Sequence, residues 1–228
     1  MPPKILIGCP TADAKAYCLD RYAEGLKSLT YPDKDILLVD NSGTNDYFNR
    51  IKALGLPVEK DSPKAKVHDS IVHSRNMIRE KFLKGNYDYF LSLEQDVIPP
   101  KDIIERLLAS KKNVITGVYY TFYRFFGVPK LRPLIWKDVE GQPDKMQFMN
   151  TECRAALNSK EPVLKSIKAC GLGCLLIHKS VLEKIQFRVP ENYSTFDDFM
   201  FCEDVRKLGE EVWADLSVQC DHLVEKNY

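Results

Sequence analysis

The chain has 228 residues, and its 33 lysines and arginines against 32 aspartates and glutamates give a formal net charge of +1. This length fits one large domain or two small ones, and 44% hydrophobic with 29% charged residues is typical of a globular protein with a sizeable core. The composition excludes disordered, collagen-like and coiled-coil proteins. The balanced charge argues against a nucleic-acid-binding protein, which would carry a basic excess.

Apolar runs alternate with helical patterns through the first half of the chain. Runs that end in turn residues predict strands at residues 4–8, 35–39, 87–93 and 113–118. Apolar residues at helical spacing predict helices at residues 19–29, 46–54 and 69–84, and a further helix after Pro99 and Pro100. Strands separated by helices imply crossover connections. We therefore predict an α/β fold with a mostly parallel, Rossmann-like central sheet flanked by helices.

The second half of the chain has a weaker pattern. Residues 119–166 mix aromatic, proline and charged residues, and we predict long loops with some extended pieces there. Strands are predicted at residues 170–178, 212–214 and 217–220, and helices at residues 180–185, with Ser180 as the cap, and at about 198–208. No linker or repeat divides the chain, so we predict a single domain over residues 1–228.

Targeting and redox signals favour a cytoplasmic protein. The apolar run at residues 5–7 is too short for a signal peptide, and no stretch approaches the roughly 18 apolar residues of a membrane helix. The seven cysteines form no C-x-x-C pair, so we expect reduced thiols rather than disulfides or a zinc site. Peripheral contact with the inner face of a membrane remains open.

Polar side chains cluster where the predicted strands end, which is the edge where open parallel sheets bind ligands. Glu94 and Asp96 lie two residues apart after an apolar strand, and such a pair can hold a hard divalent cation. Two solvated acids in a surface turn would have the same spacing. The other two strand ends carry Pro10-Thr11 and Asp40-Asn41-Ser42.

Three residues near the C-terminus add to this set. Asp197 and Asp198 begin a predicted helix, where acids are commonly only caps that favour the helix dipole. His222 follows the last predicted strand, and a lone histidine is more often structural than a ligand. Each feature alone has an ordinary structural explanation.

Taken together, the order of these motifs resembles glycosyltransferase family 2, the inverting enzymes with a GT-A fold and an Asp-x-Asp motif. The resemblance runs from about Lys4 to His222, nearly the whole chain. It rests on five segments: Ile5-Leu6-Ile7-Gly8-Cys9-Pro10-Thr11, Ile36-Leu37-Leu38-Val39-Asp40-Asn41-Ser42, Ser74-Arg75-Asn76, Tyr87-Asp88-Tyr89-Phe90-Leu91-Ser92-Leu93-Glu94-Gln95-Asp96-Val97 and Gly171-Leu172-Gly173-Cys174-Leu175-Leu176-Ile177.

The resemblance implies metal-dependent transfer of a sugar from a UDP- or GDP-sugar to an acceptor hydroxyl, with Mn²⁺ or Mg²⁺ as cofactor. Residues 1–118 would form the nucleotide-sugar-binding half and residues 119–228 the acceptor and catalytic half. Asp96 and His222 would be the metal ligands. The implied nucleotide-sugar-binding residues are Thr11, Asp40, Asn41, Arg75, Asn76, Glu94 and Gln95.

Two acid pairs match the Glu-Asp motif of that family, which carries the catalytic base. Glu203-Asp204 is the literal match, but Asp198 lies 11 residues before Gly209 and Asp204 only 5. In the family the motif's aspartate opens a helix. We therefore choose Asp198 as the catalytic base with Asp197 beside it, and interpret the other pair as a solvated face.

The departures from the family pattern are single methylene groups. Glu94 stands in place of the usual first aspartate of the Asp-x-Asp motif, and Asp197 in place of the usual glutamate. Both substitutions keep the charge and change the reach of the carboxylate.

Several alternatives remain open at this point. Residues 119–126, with six aromatics in eight positions, and Trp136 could contact an acceptor or could pack in the core. The acceptor could be a glycan, a lipid-linked molecule or a protein. A non-catalytic nucleotide-sugar or carbohydrate-binding module on the same fold would carry the same acids. A sugar nucleotidyltransferase would need a glycine-rich loop after the first strand, which residues 9–13 lack. At this length we expect any acceptor-holding or membrane-anchoring domain to be absent or on another chain.

Overall fold

An eight-stranded sheet forms the centre of the protein. The structure, a computed structural model, describes residues 2–192 and 194–224. In this part of the chain the strands are β1 (Ile5–Thr11), β2 (Lys34–Asp40), β3 (Val58–Lys60), β4 (Tyr89–Leu93), β5 (Val97–Ile98), β6 (Val114–Val118), β7 (Tyr120–Phe125), β8 (Val128–Pro133), β9 (Ile135–Val139), β10 (Gln142–Phe148), β11 (Leu164–Ile167), β12 (Ala169–Cys170), β13 (Cys174–His178), β14 (Val212–Gln219) and β15 (Asp221–His222). The α-helices are α1 (Leu19–Ser28), α2 (Asp46–Ala53), α3 (Val67–Lys84), α4 (Ile103–Ala109), α5 (Asn150–Ala156), α6 (Lys179–Leu182) and α7 (Asp197–Lys207), and a 3₁₀ helix at Asp13–Cys18 precedes α1.

The strand order in the central sheet is β11-β14-β6-β13-β4-β1-β2-β3. Six of these strands run in one direction, and β11 and β13 run in the other. Helices α1 and α2 connect neighbouring parallel strands, and α3 carries the chain from β3 at the edge of the sheet back to β4 on the other side of β1. The predicted fold class, a mostly parallel α/β sheet flanked by helices in a single domain, is confirmed.

Both faces of the sheet are covered, which explains why its strands read as continuous apolar runs. Along β1, Leu6 belongs to the buried cluster on the α3 side, whereas Ile5 and Ile7 belong to the cluster on the α1 side. Gly8 of the same strand has no room for a side chain, because a Cβ atom there would lie 2.4 Å from the ring of Phe90.

The region 119–166 is more regular than predicted. It contains the β7–β8 hairpin, most of a three-stranded sheet of β10, β9 and β12, the helix α5, and the beginning of β11. Apart from β11, which is an edge strand of the central sheet, these strands form small separate sheets, so their residues do not have the fully apolar pattern of the central strands. The backbone of Phe126 (φ 49°) and Gly127 (φ 79°) makes the tight turn of the hairpin.

Three smaller differences concern single elements. Residues 212–219 form one strand, β14, rather than two short ones, and the three-residue strand β3 was not predicted. The prediction of Ser180 as a helix cap is wrong, because the side chain of His178 is the cap and accepts a hydrogen bond from the Ser180 N–H. None of the helices in the described ranges is long and apolar enough for a transmembrane span.

Candidate active site

A cleft opens where β1, β2 and β4 end side by side. The parallel register pairs Thr11 of β1 with Asp40 of β2, and Gln95 follows β4 at the same edge. We call this cavity of about 220 Å³ the strand-end cleft. Its lining residues are Pro10, Thr11, Ala12, Ala14, Lys15, Asn41, Val67, Ile71, Arg75, Glu94 and Gln95. Five of the seven residues predicted to bind a nucleotide sugar therefore line one cavity.

Gln95 forms part of the floor of the cleft. Its side-chain oxygen accepts hydrogen bonds from the hydroxyl groups of Thr11 and Tyr47, the latter at 2.7 Å. Its amide nitrogen donates to the carbonyl oxygen of Lys15 at 2.6 Å. Because Gln95 is only 1% exposed and both polar atoms are engaged, it fixes the loop between β4 and β5 against β1 and the 3₁₀ helix.

Arg75 of α3 connects β4 with α7. Its guanidinium donates to the hydroxyl of Ser92 at 3.0 Å and to the Glu94 carboxylate, and its Nε lies 2.8 Å from Oδ2 of Asp197. Arg75 is 2% exposed. Burial alone would lower its pKa, but the charges of Asp197 and Glu94 outweigh burial and raise it. The side chain is therefore a permanent buried cation between two carboxylates.

Asp96 and His222, the two predicted metal ligands, lie together. Their Oδ2 and Nε2 atoms are 3.3 Å apart, and the ammonium of Lys15 also contacts Oδ2 of Asp96. Burial opposes ionisation of Asp96, yet the hydrogen bond with His222 and the charge of Lys15 lower its pKa to about 2. Oδ1 of this carboxylate is buried and has no hydrogen-bond partner among the residues that the structure describes.

These atoms fit a divalent cation. The Nδ1 atom of His222 lies 2.8 Å from the Tyr120 carbonyl oxygen, which can only accept, so Nδ1 donates and Nε2 faces Asp96. A hydrogen bond of this kind orients metal-binding histidines, and Oδ1 of Asp96 is a free oxygen ligand. The described residues contain no group of three or more His, Cys, Asp or Glu that could hold a metal. Two protein ligands plus phosphate and water oxygens match how Mg²⁺ is commonly bound.

Asp197 and Asp198 occupy the first turn of α7, as predicted for the base and its neighbour. Asp197 pairs with Arg75, whereas Asp198 is half-buried and, among the described residues, accepts a hydrogen bond only from its neighbouring Phe199 N–H, at 2.7 Å. Burial, followed by the negative charge of Asp197, raises the pKa of Asp198 to about 7. A carboxylate with that pKa takes up and releases a proton near neutral pH.

Aromatic side chains pack beside the first turn of α7 and beside His222. Phe199 packs on Trp136 with ring centroids 4.8 Å apart, and Trp136 is 5% exposed. Tyr119 is buried at 2% exposure, and its ring meets His222 edge-on at 5.4 Å. Tyr119 and Trp136 therefore pack in the core beneath the site, which is one of the two alternatives that the sequence left open for them.

Asp40 and Asn41 are held by partners within the protein. The Asp40 carboxylate is fully buried between the Lys60 ammonium, at 2.7 Å, and the backbone and hydroxyl of Ser42. The Asn41 amide donates to Ser74 at 3.1 Å. Asp40 thus shapes the end of β2 and does not line the strand-end cleft.

Three predicted or considered residues lie away from the cleft. Both polar atoms of the Asn76 side chain bond to the backbone of Phe187, at 2.9 and 3.0 Å. Asp204 is paired rather than solvated, because Arg188 donates to both of its oxygens at 2.8 Å. Glu203 is exposed and pairs with Lys207 one turn later at 2.6 Å, as expected for an outer helix face.

Sequence reasoning missed three charged residues at this edge of the sheet. Lys15 contacts Asp96, Lys60 contacts Asp40, and Asp61 follows β3 with its carboxylate 2.8 Å from His73 and 3.0 Å from Ser74. The available signal was the position of Lys60 and Asp61 after a short apolar stretch. Nothing in the sequence pairs Lys15 with a residue 81 positions later.

No family model and no curated protein matches this sequence. Solved structures match its fold. GalNAc-T7 with UDP, GalNAc and Mn²⁺ is 10% identical with a TM-score of 0.68, over 99% of this chain and 44% of that one. The mannosyltransferase PcManGT from Pyrobaculum calidifontis, in complex with GDP-Man and Mn²⁺, is 12% identical with a TM-score of 0.67, over 100% and 59%.

A third match is A197 from STIV, which is 15% identical with a TM-score of 0.50, over 97% of this chain and 86% of that one. The chain spans about half the length of the two glycosyltransferase chains. At these identities the likeness shows a shared fold, so this protein has the fold of glycosyltransferases of the GT-A type.

Proposed function

We propose that this protein is a metal-dependent glycosyltransferase that moves a sugar from a nucleoside-diphosphate sugar to an acceptor hydroxyl with inversion. The observation that carries the proposal is the position of the Asp198 carboxyl, which lies half-buried in the first turn of α7 beside Asp197. Its neighbour Asp197 is joined through Arg75 to Glu94 at the strand-end cleft. The same fold in two glycosyltransferases with nucleotides and Mn²⁺ supports this choice.

The donor half, residues 1–118, would bind the nucleotide sugar in the strand-end cleft. Apolar side chains of Pro10, Val67 and Ile71 form one wall, which suits the flat face of a base or ribose. Thr11 and Asn41 supply polar atoms to the cavity, and Gln95 holds its floor in place through hydrogen bonds within the protein. Lys15 and Arg75 are the cations that line this cavity. The Lys15 side chain is partly exposed and that of Arg75 is buried, so Lys15 is the one that can reach a phosphate.

The divalent cation would be held by Asp96 and His222. When bound, Mn²⁺ or Mg²⁺ supplies positive charge that stabilises the departing diphosphate. The chain's own contribution is to keep the Asp96 carboxylate ionised, with a pKa of about 2, and to orient His222 through the Tyr120 carbonyl. Within the described part of the chain, no donor hydrogen-bonds to Oδ1 of Asp96, so this oxygen is available to the cation.

Asp198 would act as the general base. Its carboxylate takes the proton of the acceptor hydroxyl while that oxygen bonds to the anomeric carbon and the bond to the diphosphate oxygen breaks. One displacement inverts the anomeric configuration and needs no protein nucleophile. Residues 119–228, which contain Asp198 and the buried aromatics Tyr119 and Trp136, would form the acceptor and catalytic half.

The test is donor binding followed by transfer. Isothermal titration with a panel of UDP- and GDP-sugars in the presence of Mn²⁺ should give at least one donor that binds, and removal of Mn²⁺ by a chelator should weaken it. The anomeric configuration of the product, read by NMR, should be inverted. Failure of every donor to bind would overturn the proposal, and a retained configuration would overturn the single displacement.

A further inference from the structure

The β7–β8 hairpin presents exposed apolar side chains beside the candidate site. Phe126, at the tip, is fully exposed, and Phe122, Phe125, Val128 and Leu131 are between 37% and 56% exposed. In the register of the hairpin, Phe125 pairs with Val128 on one face beside the tip, and Phe122 pairs with Leu131 on the other face. Isolated exposed apolar residues are ordinary, but a group of them around the end of one hairpin marks an interaction surface. These five residues are the apolar set of the hairpin.

The turn of the hairpin adds an independent observation. Phe126 has φ 49°, in the left-handed region that costs a residue with a Cβ atom about 1–2 kcal/mol. Asparagine or glycine would adopt this turn more easily and without exposing a ring. Insertion of the Phe126 side chain into another surface explains why a fully exposed aromatic residue occupies this strained turn.

The charge of the hairpin is of one sign. Residues 120–133 contain Arg124, Lys130 and Arg132 and no acid. The Lys130 ammonium and the Arg132 guanidinium lie 5.8 and 5.3 Å from the ring centre of Phe125, so cationic groups frame the apolar set. Aromatic and aliphatic residues framed by lysine and arginine are the composition that binds the interface of an anionic membrane.

The base of the hairpin is attached to the candidate site. His222 donates to the Tyr120 carbonyl at the first residue of β7. Tyr123 packs on Phe148 with ring centroids 4.9 Å apart, and burial, followed by the charge of Asp198, raises the pKa of Tyr123. A surface that takes up the tip of the hairpin is therefore held on the Asp198 side of the molecule.

We propose that the β7–β8 hairpin docks this protein on an anionic lipid bilayer, with Phe126 entering the interface and Arg124, Lys130 and Arg132 contacting lipid headgroups. Docking brings the Asp198 side of the molecule to the bilayer. On the proposed function, which this consequence requires, the acceptor would then be a membrane-held molecule rather than a soluble one.

The test is vesicle binding without any donor, so that its failure is separate from failure of the proposed function. The full chain should sediment with vesicles of 30% phosphatidylglycerol in phosphatidylcholine, and not with phosphatidylcholine alone. Each basic residue near an anionic surface contributes about fivefold to binding, so Arg124→Glu with Lys130→Glu should lower it at least 25-fold, about fivefold for each charge removed. Lys27→Glu, at an exposed position of α1, is the control for a charge reversal elsewhere on the surface and should have little effect.

The apolar contribution is tested in parallel. Phe126→Ser should weaken vesicle binding several-fold, whereas Leu208→Ser, at a 42% exposed leucine after α7, should not. Phe126→Trp should bind and shift its fluorescence to the blue with anionic vesicles. The two native tryptophans give a constant background, because Trp136 is buried and Trp213 half-buried.

Circular dichroism establishes that each variant is folded. Wild-type protein that ignores anionic vesicles, or Phe126→Trp without a blue shift, overturns the proposal. Equal binding by wild type and the hairpin variants also overturns it. Self-association in sedimentation velocity that Phe126→Ser abolishes, without vesicle binding, assigns the hairpin to a second copy of the chain instead.

Discussion

Replacement of Asp198 by asparagine tests two effects of this carboxyl separately, its effect on the rate of transfer and its effect on the free energy of unfolding. Each pKa unit between the folded and unfolded states corresponds to about 1.4 kcal/mol, and an unfolded aspartate has a pKa of about 3.9. A folded pKa of about 7 therefore sets a ceiling of about 4 kcal/mol on the pH-dependent contribution of Asp198 to the free energy of unfolding. Because Asp198 is half-buried and water screens its charge, we expect about 1–2 kcal/mol.

The sign follows from proton binding. Between pH 4 and pH 7 the folded wild type binds the Asp198 proton more tightly than the unfolded chain does. The stability that this proton binding provides is thus fully present below about pH 4 and is lost as the pH rises through 7. Asp198→Asn has no such loss. Its free energy of unfolding, relative to wild type, should rise by about 1–2 kcal/mol between pH 4 and pH 8.5 and then level off.

Urea denaturation at the two pH values measures this difference, and transfer assays measure the catalytic effect. A general base contributes about 10²- to 10⁴-fold, so Asp198→Asn should lose that much of kcat with donor affinity nearly unchanged. In wild type, kcat should rise with pH through about 7. Glu203→Gln, on the exposed face of the same helix, is the matched control for an acid lost from α7.

A stability difference that is the same at both pH values would refute the raised pKa. Loss of transfer in Asp204→Asn with activity kept in Asp198→Asn would return the base to the literal Glu-Asp match. Asp204→Asn should instead weaken only the ion pair with Arg188.

Three further substitutions test individual contacts. Lys15→Met should tighten Mn²⁺ binding several-fold without donor, read by electron paramagnetic resonance of free Mn²⁺, because Asp96 loses a competing cation; weaker binding contradicts this. Arg75→Leu should cost about 3–5 kcal/mol in urea denaturation, because two carboxylates lose their buried partner, and a cost below about 1 kcal/mol argues against the bridge. Asn76→Ala should cost about 2–3 kcal/mol through its two lost backbone hydrogen bonds, and a donor affinity reduced more than about twofold in calorimetry would place its amide at the donor after all.

The parts of the fold predictable from sequence are those with a repeating physical pattern. Strands buried on both faces were predicted because they are continuous apolar runs. Helices with a glycine or proline boundary were predicted because burial of one face repeats apolar residues at helical spacing. The hairpins between residues 120 and 148 escaped because their strands mix exposed and half-buried residues. Glycines at 127 and 141, both with positive φ and both between extended runs, were the usable signal for their turns.

The candidate site was predictable to the level of which strand ends meet. Strand order brings Thr11, Asn41 and Glu94 to one cavity because parallel strands finish at the same edge. The partner of each charge was not predictable, since the Lys15–Asp96 pair depends on how a 3₁₀ helix packs on a distant loop. For the same reason Asn76, next to a buried arginine in sequence, turns to the backbone of another segment.

Gln95, the residue between the two acids of the motif, determines how much the site must change when it is filled. Its oxygen accepts from Thr11 and Tyr47 while its nitrogen donates to a backbone carbonyl, so the loop that carries Glu94 and Asp96 is fixed before any ligand arrives. Little conformational entropy is then lost on binding, and the reorganisation energy is small. An ionised glutamate at this position would accept hydrogen bonds but could not donate one to the Lys15 carbonyl oxygen. The loop would then lose a hydrogen bond that positions the carboxylates of Glu94 and Asp96.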